Sequence, residues 1–561
     1  MDHPGQPKLT WRETRQRARR RPTLEFALLL AIPLIFLLLF YFYPLGEILR
    51  VSLLSQDAGG VRQLVARLLA PSSRRLIAFT LGQALLSTFL TLLAGLPGAY
   101  VLAKYDFPGR RILQALATVP FVLPTVVVAA ALNAVLGPKS PLNHWLGTSF
   151  DLRYTFAAIL IAHVFYNYAV VLRLVRGFWV TLDPRLEEAA RTLGASPWRA
   201  FWHVTLPLLA PALLTATTLI FIFCFTSFGV VLILGGPRFA TLEVAIYRQT
   251  IHFANLPLAA ALSLVQILFT FGLTVVYTRL QRRVTRPLDL KPQWSTQRPV
   301  RKPREIILVV VNAVVMLGLL TYPLLVLVGR SFDEGLHYYR ALFENPRHSI
   351  FYVPPLAAIG NSLHIALRTT ALALVLGLLT ALALYRGGVA WLFDTLFMLP
   401  LGTSAVTLGL GYLLAFDTPP LDLRGTPTLI VLAHTLVGLP FVVRGLLPAL
   451  QAIRPSLREA AAVLGARRLA VFLEVDLPIV WRALAVGAVF AFTVSMGEFG
   501  ATSMIARPEF PTIPIAIYRF LSRPGSLNYG QAMAMATILM AVCSAGFLAI
   551  ERLRPPGTQP F

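Results

Sequence analysis

Two polar stretches interrupt an otherwise apolar chain with residues suited to contacting another protein. They cover residues 187–212 and 458–483. Each contains, at one spacing, a glutamate, two alanines, a glycine and a proline: Glu188, Ala189, Ala190, Gly194 and Pro207 in the first, and Glu459, Ala460, Ala461, Gly465 and Pro478 in the second. The alanines leave a surface of little bulk that a partner's backbone can approach, and the glutamate can accept hydrogen bonds from an arginine or a backbone N–H. The pattern predicts a pair of docking elements.

Local signals in the first stretch predict two short helices joined by a turn. Asp183 and Pro184 are typical of a helix start, because aspartate caps free N–H groups and proline fits the first turn. Gly194 suits the left-handed residue that ends a helix, and the Ser-Pro pair at 196–197 repeats the start signal. In the second stretch Ala-Arg-Arg at 466–468 replaces that pair, so a different start is expected there. An amphipathic linker at the membrane surface is the alternative, and repetition in register favours docking.

Four residues near the ends of two apolar segments are candidates for a substrate pathway: Ser227, Phe228, Glu498 and Phe499. Ser227 and Glu498 occupy equivalent positions, each just before a Phe-Gly pair. An acid at membrane depth is costly and is a functional candidate by default. With Phe492 and Phe499 nearby, Glu498 would stabilise a passing cationic aromatic through charge and cation–π contact, although an iron complex or a polyamine would suit an acid equally well. The alternative is a glutamate that is hydrogen-bonded within the bundle.

The histidines and cysteines within the apolar segments are candidates for metal or proton chemistry. His163 and His434 are equivalent and, if they faced each other, would bind metal or carry protons. A hydrogen-bonded packing residue, repeated by duplication, is the favoured interpretation. Cys224 and Cys543 each lie in an apolar run and are interpreted as small core residues rather than a disulfide or metal pair. Since neither clustered ligands nor a nucleophile with its base occurs, no catalytic residue or metal site is predicted, which argues against a membrane enzyme.

Composition indicates a protein whose surface faces lipid. Of the 561 residues 56% are hydrophobic and 13% charged, with a mean hydropathy of +0.69. A soluble protein of this size cannot hide so much apolar surface. The net charge of +25 does not indicate nucleic-acid binding, because basic residues concentrate at 1–22 and 279–304, beside apolar segments. Such crowding is typical of cytoplasmic segments of membrane proteins.

Apolar runs long enough to cross the bilayer, about 20 residues each, recur along the chain. We predict an all-α polytopic membrane protein with about 12 transmembrane helices. The run at 26–42 is longer than a signal-peptide core and lacks a cleavage site, so it is interpreted as an anchor with the N-terminus inside. The predicted spans are 24–43, 77–103, 112–136, 155–179, 208–234 and 257–279, then 306–328, 358–385, 391–416, 427–450, 479–505 and 531–550.

The two halves are repeats of each other. Adding 271 to a position takes His163 to His434, and the same offset relates the two docking stretches, the Phe-Gly pairs and Ala-Ile-Tyr-Arg at 245–248 and 516–519. Because each repeat has an even number of spans, the repeats are parallel and share a pathway between them. The predicted organisation is a basic cytoplasmic tail at 1–22, a first six-span repeat at 23–279, a basic cytoplasmic linker at 280–305, a second repeat at 306–552 and a short cytoplasmic tail at 553–561.

The docking pattern resembles the EAA loop of the permeases of binding-protein-dependent ABC importers. It fits twice, from Glu188 to Pro207 and from Glu459 to Pro478. The resemblance implies a type I permease-like pseudo-dimer in the bacterial inner membrane, with both termini cytoplasmic. It also implies two copies of a cytoplasmic ABC ATPase that contact these loops, and an extracytoplasmic solute-binding protein. No G-x-x-x-x-G-K-[ST] phosphate loop occurs, so ATP and Mg would belong to the ATPase and this chain would carry no cofactor.

Fused two-half permeases of this kind resemble mainly the thiamine-type and ferric-iron-type systems. The sequences at 223–249, 159–167 and 495–519 look most like the thiamine-type permease. Ferric iron is the next alternative, followed by phosphonates or polyamines. A proton-coupled secondary transporter also has two parallel six-span halves, and residues 103–111 resemble its Asp-x-x-Gly-Arg-Arg loop. The second half lacks that acid and arginine pair at 382–388, and this alternative leaves both docking stretches unexplained.

Overall fold

The computed structural model describes residues 24–54, 60–284, 297–344, 354–386, 390–419 and 421–553. The first half contains α1 Leu24–Leu37, α2 Tyr43–Leu54, α3 Gly60–Leu69, α4 Pro71–Lys104, β1 Tyr105–Asp106, α5 Arg110–Val122, α6 Thr125–Leu136, α7 Pro141–Leu146, α8 Phe156–Val171, α9 Gly177–Trp179, α10 Pro184–Thr192, α11 Pro197–Ala200, α12 Leu206–Phe225, α13 Gly229–Leu234, α14 Leu242–Ile251 and α15 Leu256–Val284. After β2 Arg298–Pro299 follow α16 Pro303–Ser331, α17 His337–Arg340, α18 Pro355–Arg386, α19 Ala390–Met398, α20 Ala405–Ala415, α21 Pro427–Gln451, α22 Pro455–Val463, α23 Arg468–Val471, α24 Leu477–Gly497, α25 Gly500–Ile505, α26 Ile513–Leu521 and α27 Ser526–Leu553.

Ten helices in the described ranges are long and apolar enough to cross a membrane, or up to 12 if two bent pairs each count as one span. This confirms the all-α polytopic class. The prediction of continuous spans at 112–136 and 391–416 is wrong. The first bends by 104° between Arg110–Pro120 and Thr125–Leu136, and the second by 108° between Leu396–Gly402 and Ala405–Ala415.

The breaks in these two spans have local causes. Leu123 and Pro124 take extended backbone geometry (ψ 140° and 141°) directly before α6, because a proline excludes the helical conformation at the residue before it. Ser404 takes the equivalent place before α20 (ψ 134°), and its hydroxyl accepts a hydrogen bond from the Thr407 N–H, which restarts the helix. The predicted fifth and eleventh spans are also too long at their ends. Their helices stop at Phe225 and Gly497, and the short helices α13 and α25 follow.

The internal repeat is confirmed by the positions at which corresponding helices begin. With the offset of 271, α10 corresponds to α22, α12 to α24, and α13 to α25. Each of the two stretches also contains a π-helical turn directly before its long helix, at Phe201–Thr205 and Phe472–Asp476. The agreement extends from sequence to backbone hydrogen bonding.

The two halves interlock through their first helices. Helices α1 and α2 pack against α18 and α20 of the second half, while α16 packs against α4, α5 and α6 of the first. Close approach is possible because Gly411 of α20 faces Pro44, where a Cβ would lie 2.9 Å from the proline Cβ. Small residues allow such contacts in membranes. The largest buried apolar cluster accordingly includes residues of both halves.

The last part of the predicted linker is attached to the first half. Residues 105–106 and 298–299 form a short parallel strand pair. The Arg298 guanidinium donates to the Tyr105 hydroxyl at 3.1 Å and forms an ion pair with Glu305 at 3.0 Å. Helix α15 extends to Val284, beyond the predicted end of the first repeat. Residues 285–296 lie outside the described part of the chain, as do the predicted tail at 1–22 and residues 554–561.

Candidate functional site

The two docking stretches form matching exposed helices. Helix α10 begins after Asp183, whose carboxylate accepts from the Arg185 N–H at 3.0 Å, and α22 begins at the equivalent position. Glu188, Ala189, Glu459 and Ala460 are exposed, and Ala190 and Ala461 are half-buried. Pro207 and Pro478 are the second residues of α12 and α24. The ten predicted docking residues thus occupy equivalent positions in the two halves: Glu-Ala-Ala in α10 and α22, the glycines directly after these helices, and the prolines in α12 and α24.

Each docking helix ends at its glycine, as the sequence predicts. Gly194 has φ +92° and Gly465 has φ +85°, the left-handed region that glycine adopts without strain. The following N–H groups, of Ala195 and Ala466, reach back to the carbonyls of Ala190 and Ala461 at 3.0 Å. This is the hydrogen-bond pattern of a Schellman motif. The glycines therefore set the turn between the two short helices of each stretch.

The predicted difference between the two stretches is confined to one helix cap. Helix α23 begins at Arg468, the register equivalent of Pro197, so the expectation of a different start is wrong for the backbone. Ser196 caps α11 by accepting from the Arg199 N–H at 3.3 Å. Arg467 takes the same backbone geometry without a side-chain cap. The turn preceding each helix fixes its start, and the serine only satisfies a free donor.

Large apolar side chains flank the exposed alanines of both docking helices. In the first stretch Leu193 is 89% exposed and Trp198 68%. In the second, Val463 is 87% exposed and Leu464 88%. An exposed apolar patch beside a polar rim is typical of a protein interaction site. These two surfaces have the composition that a protein partner would cover.

Four aromatic rings, two from each half, meet near the C-terminal ends of α12 and α24. We call Phe228, Phe499, Tyr247 and Tyr518 the aromatic cluster. The Phe228 and Phe499 rings stack with centroids 5.3 Å apart. Tyr247 contacts Phe228 edge-on at 5.5 Å, and Tyr518 contacts Phe499 in the same way at 5.6 Å. The two predicted phenylalanines therefore lie together where the halves meet.

The tyrosines were not predicted as site residues. Tyr247 and Tyr518 were visible only as a matched pair in the Ala-Ile-Tyr-Arg repeat at offset 271. Glycines after the phenylalanines let the cluster form, because a Cβ on Gly229 would lie 2.6 Å from the Thr125 hydroxyl and one on Gly500 would lie 2.9 Å from Ala405. The Phe-Gly pairs thus pack onto the breaks that precede α6 and α20.

Glu498 is buried beside the aromatic cluster and is hydrogen-bonded within its own half. Its carboxylate accepts from the N–H groups of Ala501 at 2.8 Å and Thr502 at 3.0 Å. His434 Nε2 lies 3.2 Å from the same carboxylate. Ser227, the register partner, is also buried, and its carbonyl accepts from Thr241 at 3.1 Å. These contacts favour the structural alternative for Glu498, whose role in transport stays a prediction.

The two repeated histidines form hydrogen bonds with hydroxyl groups of their own halves. His163 Nδ1 lies 2.8 Å from the Ser87 hydroxyl, and His434 Nδ1 lies 2.8 Å from that of Ser495. Both rings are buried. Among the described residues, no group of three or more His, Cys, Asp or Glu side chains is placed to hold a metal ion. Cys224 and Cys543 are buried and free. The arrangement favours packing roles for the histidines.

Glu243 is a buried acid that the sequence analysis missed. One carboxylate oxygen accepts from Gln266 at 3.0 Å, and the other accepts from Ser404 of the second half at 2.6 Å. The side chain therefore joins α14 to the break before α20. Its register equivalent is Pro514, so the repeat offered no signal. Glu243 also lies between the predicted spans 208–234 and 257–279, so the rule for acids at membrane depth did not select it either.

Two parts of the chain, residues 90–286 and 373–556, match the family described as binding-protein-dependent transport system inner membrane component. The chain belongs to this family. It is a multi-pass membrane protein and the permease component of a binding-protein-dependent ABC importer, with two family units fused in one polypeptide. The resemblance that the docking stretches indicated is thereby confirmed.

Relatives of similar length extend the match over most of the chain. The thiamine transport system permease protein of Escherichia coli (strain K12) is 27% identical over 492 residues, 85% of this chain and 88% of the relative. The protein of the same name from Haemophilus influenzae is 29% identical, over 92% of this chain and 94% of the relative. A solved bacterial ABC transporter involved in import of the acidic polysaccharide alginate is 19% identical, with a TM-score of 0.38, and covers 49% of this chain and 99% of its own.

Proposed function

We propose that this permease imports thiamine or a closely related cationic aromatic compound. Similarity along 85% or more of the chain to permeases named for thiamine transport carries this proposal. The chemistry of the aromatic cluster supports it. Phe228 and Phe499 are buried against each other in this structure. Once the pathway between the halves opens, the ring faces would line it and attract an organic cation, an interaction worth about 0.5–2 kcal/mol. Thiamine combines a positively charged ring with a neutral one, so both its charge and its flat faces suit such a lining.

The proposed mechanism is alternating access driven by a separate ATPase. A loaded solute-binding protein contacts the extracytoplasmic face, and two ATPase copies bind the exposed surfaces of α10 and α22. ATP binding draws the ATPase copies together, the docking helices move with them, and the pathway between the halves opens outward. Hydrolysis resets it inward. This orientation places both docking helices and both termini in the cytoplasm of a bacterial cell, with ATP and Mg on the ATPase.

The apolar and small-residue surfaces of the docking helices support an ATPase partner. In each helix an exposed glutamate lies next to an exposed alanine, and an exposed leucine follows at the equivalent position after the helix, Leu193 in the first half and Leu464 in the second. A groove that receives the alanines would cover these apolar side chains, and a cation in it would pair with the glutamate. Two equivalent helices fit two copies of one partner.

Uptake by reconstituted vesicles tests the function. The chain would be reconstituted with its co-purifying ATPase and a thiamine-binding protein, and entry of radiolabelled thiamine would be measured with ATP or a non-hydrolysable analogue inside the vesicles. Thiamine accumulation that requires hydrolysable ATP and the binding protein is expected. If ferric citrate or spermidine lowered the uptake of radiolabelled thiamine and unlabelled thiamine did not, thiamine would be contradicted as the substrate. Uptake by the chain alone under a proton gradient would contradict the mechanism.

A further inference from the structure

The residue before Glu-Ala-Ala in each docking stretch carries opposite charge in the two halves. The position is Glu187 in the first half and Arg458 in the second, which the offset of 271 makes equivalent. Both side chains are half-buried against the body of their own half, whereas the following glutamates are exposed. This position therefore faces the membrane helices rather than a partner protein.

In the first half Glu187 attaches the docking helix to the end of α4. Its carboxylate accepts from the Lys104 ammonium at 2.6 Å, and the two side chains are 22% and 26% exposed. Lys104 is the last residue of α4, and its ammonium also lies 5.3 Å from the centre of the Tyr100 ring. The ion pair links α10 directly to a 34-residue helix that continues deep into the first half.

In the second half Arg458 attaches the docking helix to the start of α24. Its guanidinium donates to the Asp476 carboxylate at 2.7 Å, and the two side chains are 17% and 7% exposed. The guanidinium also contacts the hydroxyl of Tyr385, in the last turn of α18, and lies 4.5 Å from the centre of that ring. Asp476 directly precedes α24. Thr205, its uncharged equivalent in the first half, offers no partner charge.

We infer that these two ion pairs are positioning contacts that connect the docking helices differently to the membrane helices: Glu187 connects the first to the end of α4, whereas Arg458 connects the second to the start of α24 as well as to the end of α18. The inference rests on the docking role proposed above. An ion pair that fixes a helix start to one neighbour makes the two move together. The fused halves therefore respond differently to the same ATPase motion. The two positions are not interchangeable, because an arginine in place of Glu187 would face the positive charge of Lys104.

Charge exchange in the first half tests the inference without an identified solute. The complex of full-length chain and co-purifying ATPase would carry a fluorescent dye at Trp145→Cys, a position that is 81% exposed on the proposed outer side. The ATPase is trapped with ATP and vanadate, and the change in dye fluorescence measures how far the movement of the docking helices is transmitted to that side. Glu187→Lys and Lys104→Glu are each expected to lower this change about five-fold, the effect of about 1 kcal/mol. The double variant restores the pair with reversed polarity and is expected to restore the signal.

Variants of the ion pair in the second half distinguish a positioning role from a merely structural one. Arg458→Gln or Asp476→Asn leaves a buried charge without its partner, which lowers thermal stability. The double variant removes both charges, so its stability is expected to recover while the dye signal stays low, because the attachment is absent. A merely structural role would make the signal recover together with stability.

The outcomes distinguish this inference from the function on which it rests. Failure of the wild-type chain to recruit an ATPase, or a wild-type dye signal that ATP and vanadate do not change, would overturn the proposed mechanism. Recruitment with a wild-type signal in all four single variants would overturn the inference alone. The inference would also be overturned if the double variant Glu187→Lys with Lys104→Glu gave a dye signal as low as that of the two single variants.

Discussion

At the scale of residues, both halves keep the side chains that form the aromatic contact between them, whereas the buried acids near that contact differ. The paired phenylalanines and the glycines that follow them have equivalents in both halves, whereas Glu498 corresponds to Ser227 and Glu243 to Pro514. Glycines and aromatic rings are needed in both halves because each half contributes equally to the stacked contact. Each buried acid instead accepts from partners at one place in the structure: Glu498 from the N–H groups that begin α25, and Glu243 from Ser404 of the other half.

The contacts of Glu498 predict a loss of stability when its charge is removed. Glu498→Gln keeps one acceptor oxygen and turns an NH₂ group toward N–H donors, leaving a buried donor without a partner. The expected loss in the free energy of unfolding is about 1–3 kcal/mol, seen as a lower Tm of the detergent-solubilised protein. Ser227→Ala, at the equivalent position, is the matched control and is expected to change the Tm less. An unchanged Tm with lost thiamine uptake would instead support a direct role of Glu498 toward a cationic solute.

At the scale of helices, the sequence predicted elements whose limits depend on local chemistry and missed those that depend on packing. The first docking helix starts after its cap, Asp183, and ends before Gly194, because a cap and a left-handed residue act within a few positions. The breaks at Pro124 and Ser404 lie inside continuous apolar runs, so hydropathy joins the helices on either side. Two residues were usable signals there: Pro124, because a proline excludes the helical conformation at the residue before it, and Ser404, because serine is a preferred helix cap.

The contacts between halves could not be derived from the repeat alone. The repeat pairs Tyr247 with Tyr518, but their place beside the phenylalanines follows from the way α14 and α26 fold back after the short helices. Glu243 contacts Ser404 across the two halves, and neither residue has a polar equivalent that a comparison of the repeats would reveal. Equivalence in sequence states which residues correspond, whereas contact depends on how the two copies pack.

Substitution of the turn glycines is expected to weaken the coupling between ATP hydrolysis and thiamine uptake, more with proline than with alanine. Proline has φ near −65° and cannot adopt the +92° and +85° of Gly194 and Gly465, so Gly194→Pro with Gly465→Pro should abolish ATP-dependent thiamine uptake and uncouple the ATPase. Alanine adopts this geometry at about 1–2 kcal/mol and meets no atom within 4 Å at either position. The double alanine variant, the matched control, should therefore keep part of the uptake. Equal membrane content of all variants is checked by immunoblot, and normal uptake by the double proline variant would refute the docking assignment.

At the scale of the whole molecule, the interlocked first helices make each half part of the other's fold. Helix α1 packs on α18 and α16 packs on α6, so a half expressed alone would expose surfaces that its partner covers. The stacked Phe228 and Phe499 rings add a contact at the centre, worth about 0.5–1.5 kcal/mol beyond their buried area. These contacts run along the whole interface and do not depend on the residues between α15 and β2.

The chain should therefore assemble from two separate polypeptides. Residues 1–290 and 291–561, co-expressed with an affinity tag on the first only, are expected to co-purify, because the interface of α1, α2 and α16 holds the halves without the covalent linker. The strand pair of residues 105–106 with 298–299 would still attach the second fragment to the first. Each fragment expressed alone is expected to be degraded, which a time course after arrest of protein synthesis would detect. Full-length chain carrying the same tag is the control for yield. Recovery of the tagged fragment without its partner, at a level equal to the co-expressed pair, would show that the covalent linker and not the helical interface joins the halves.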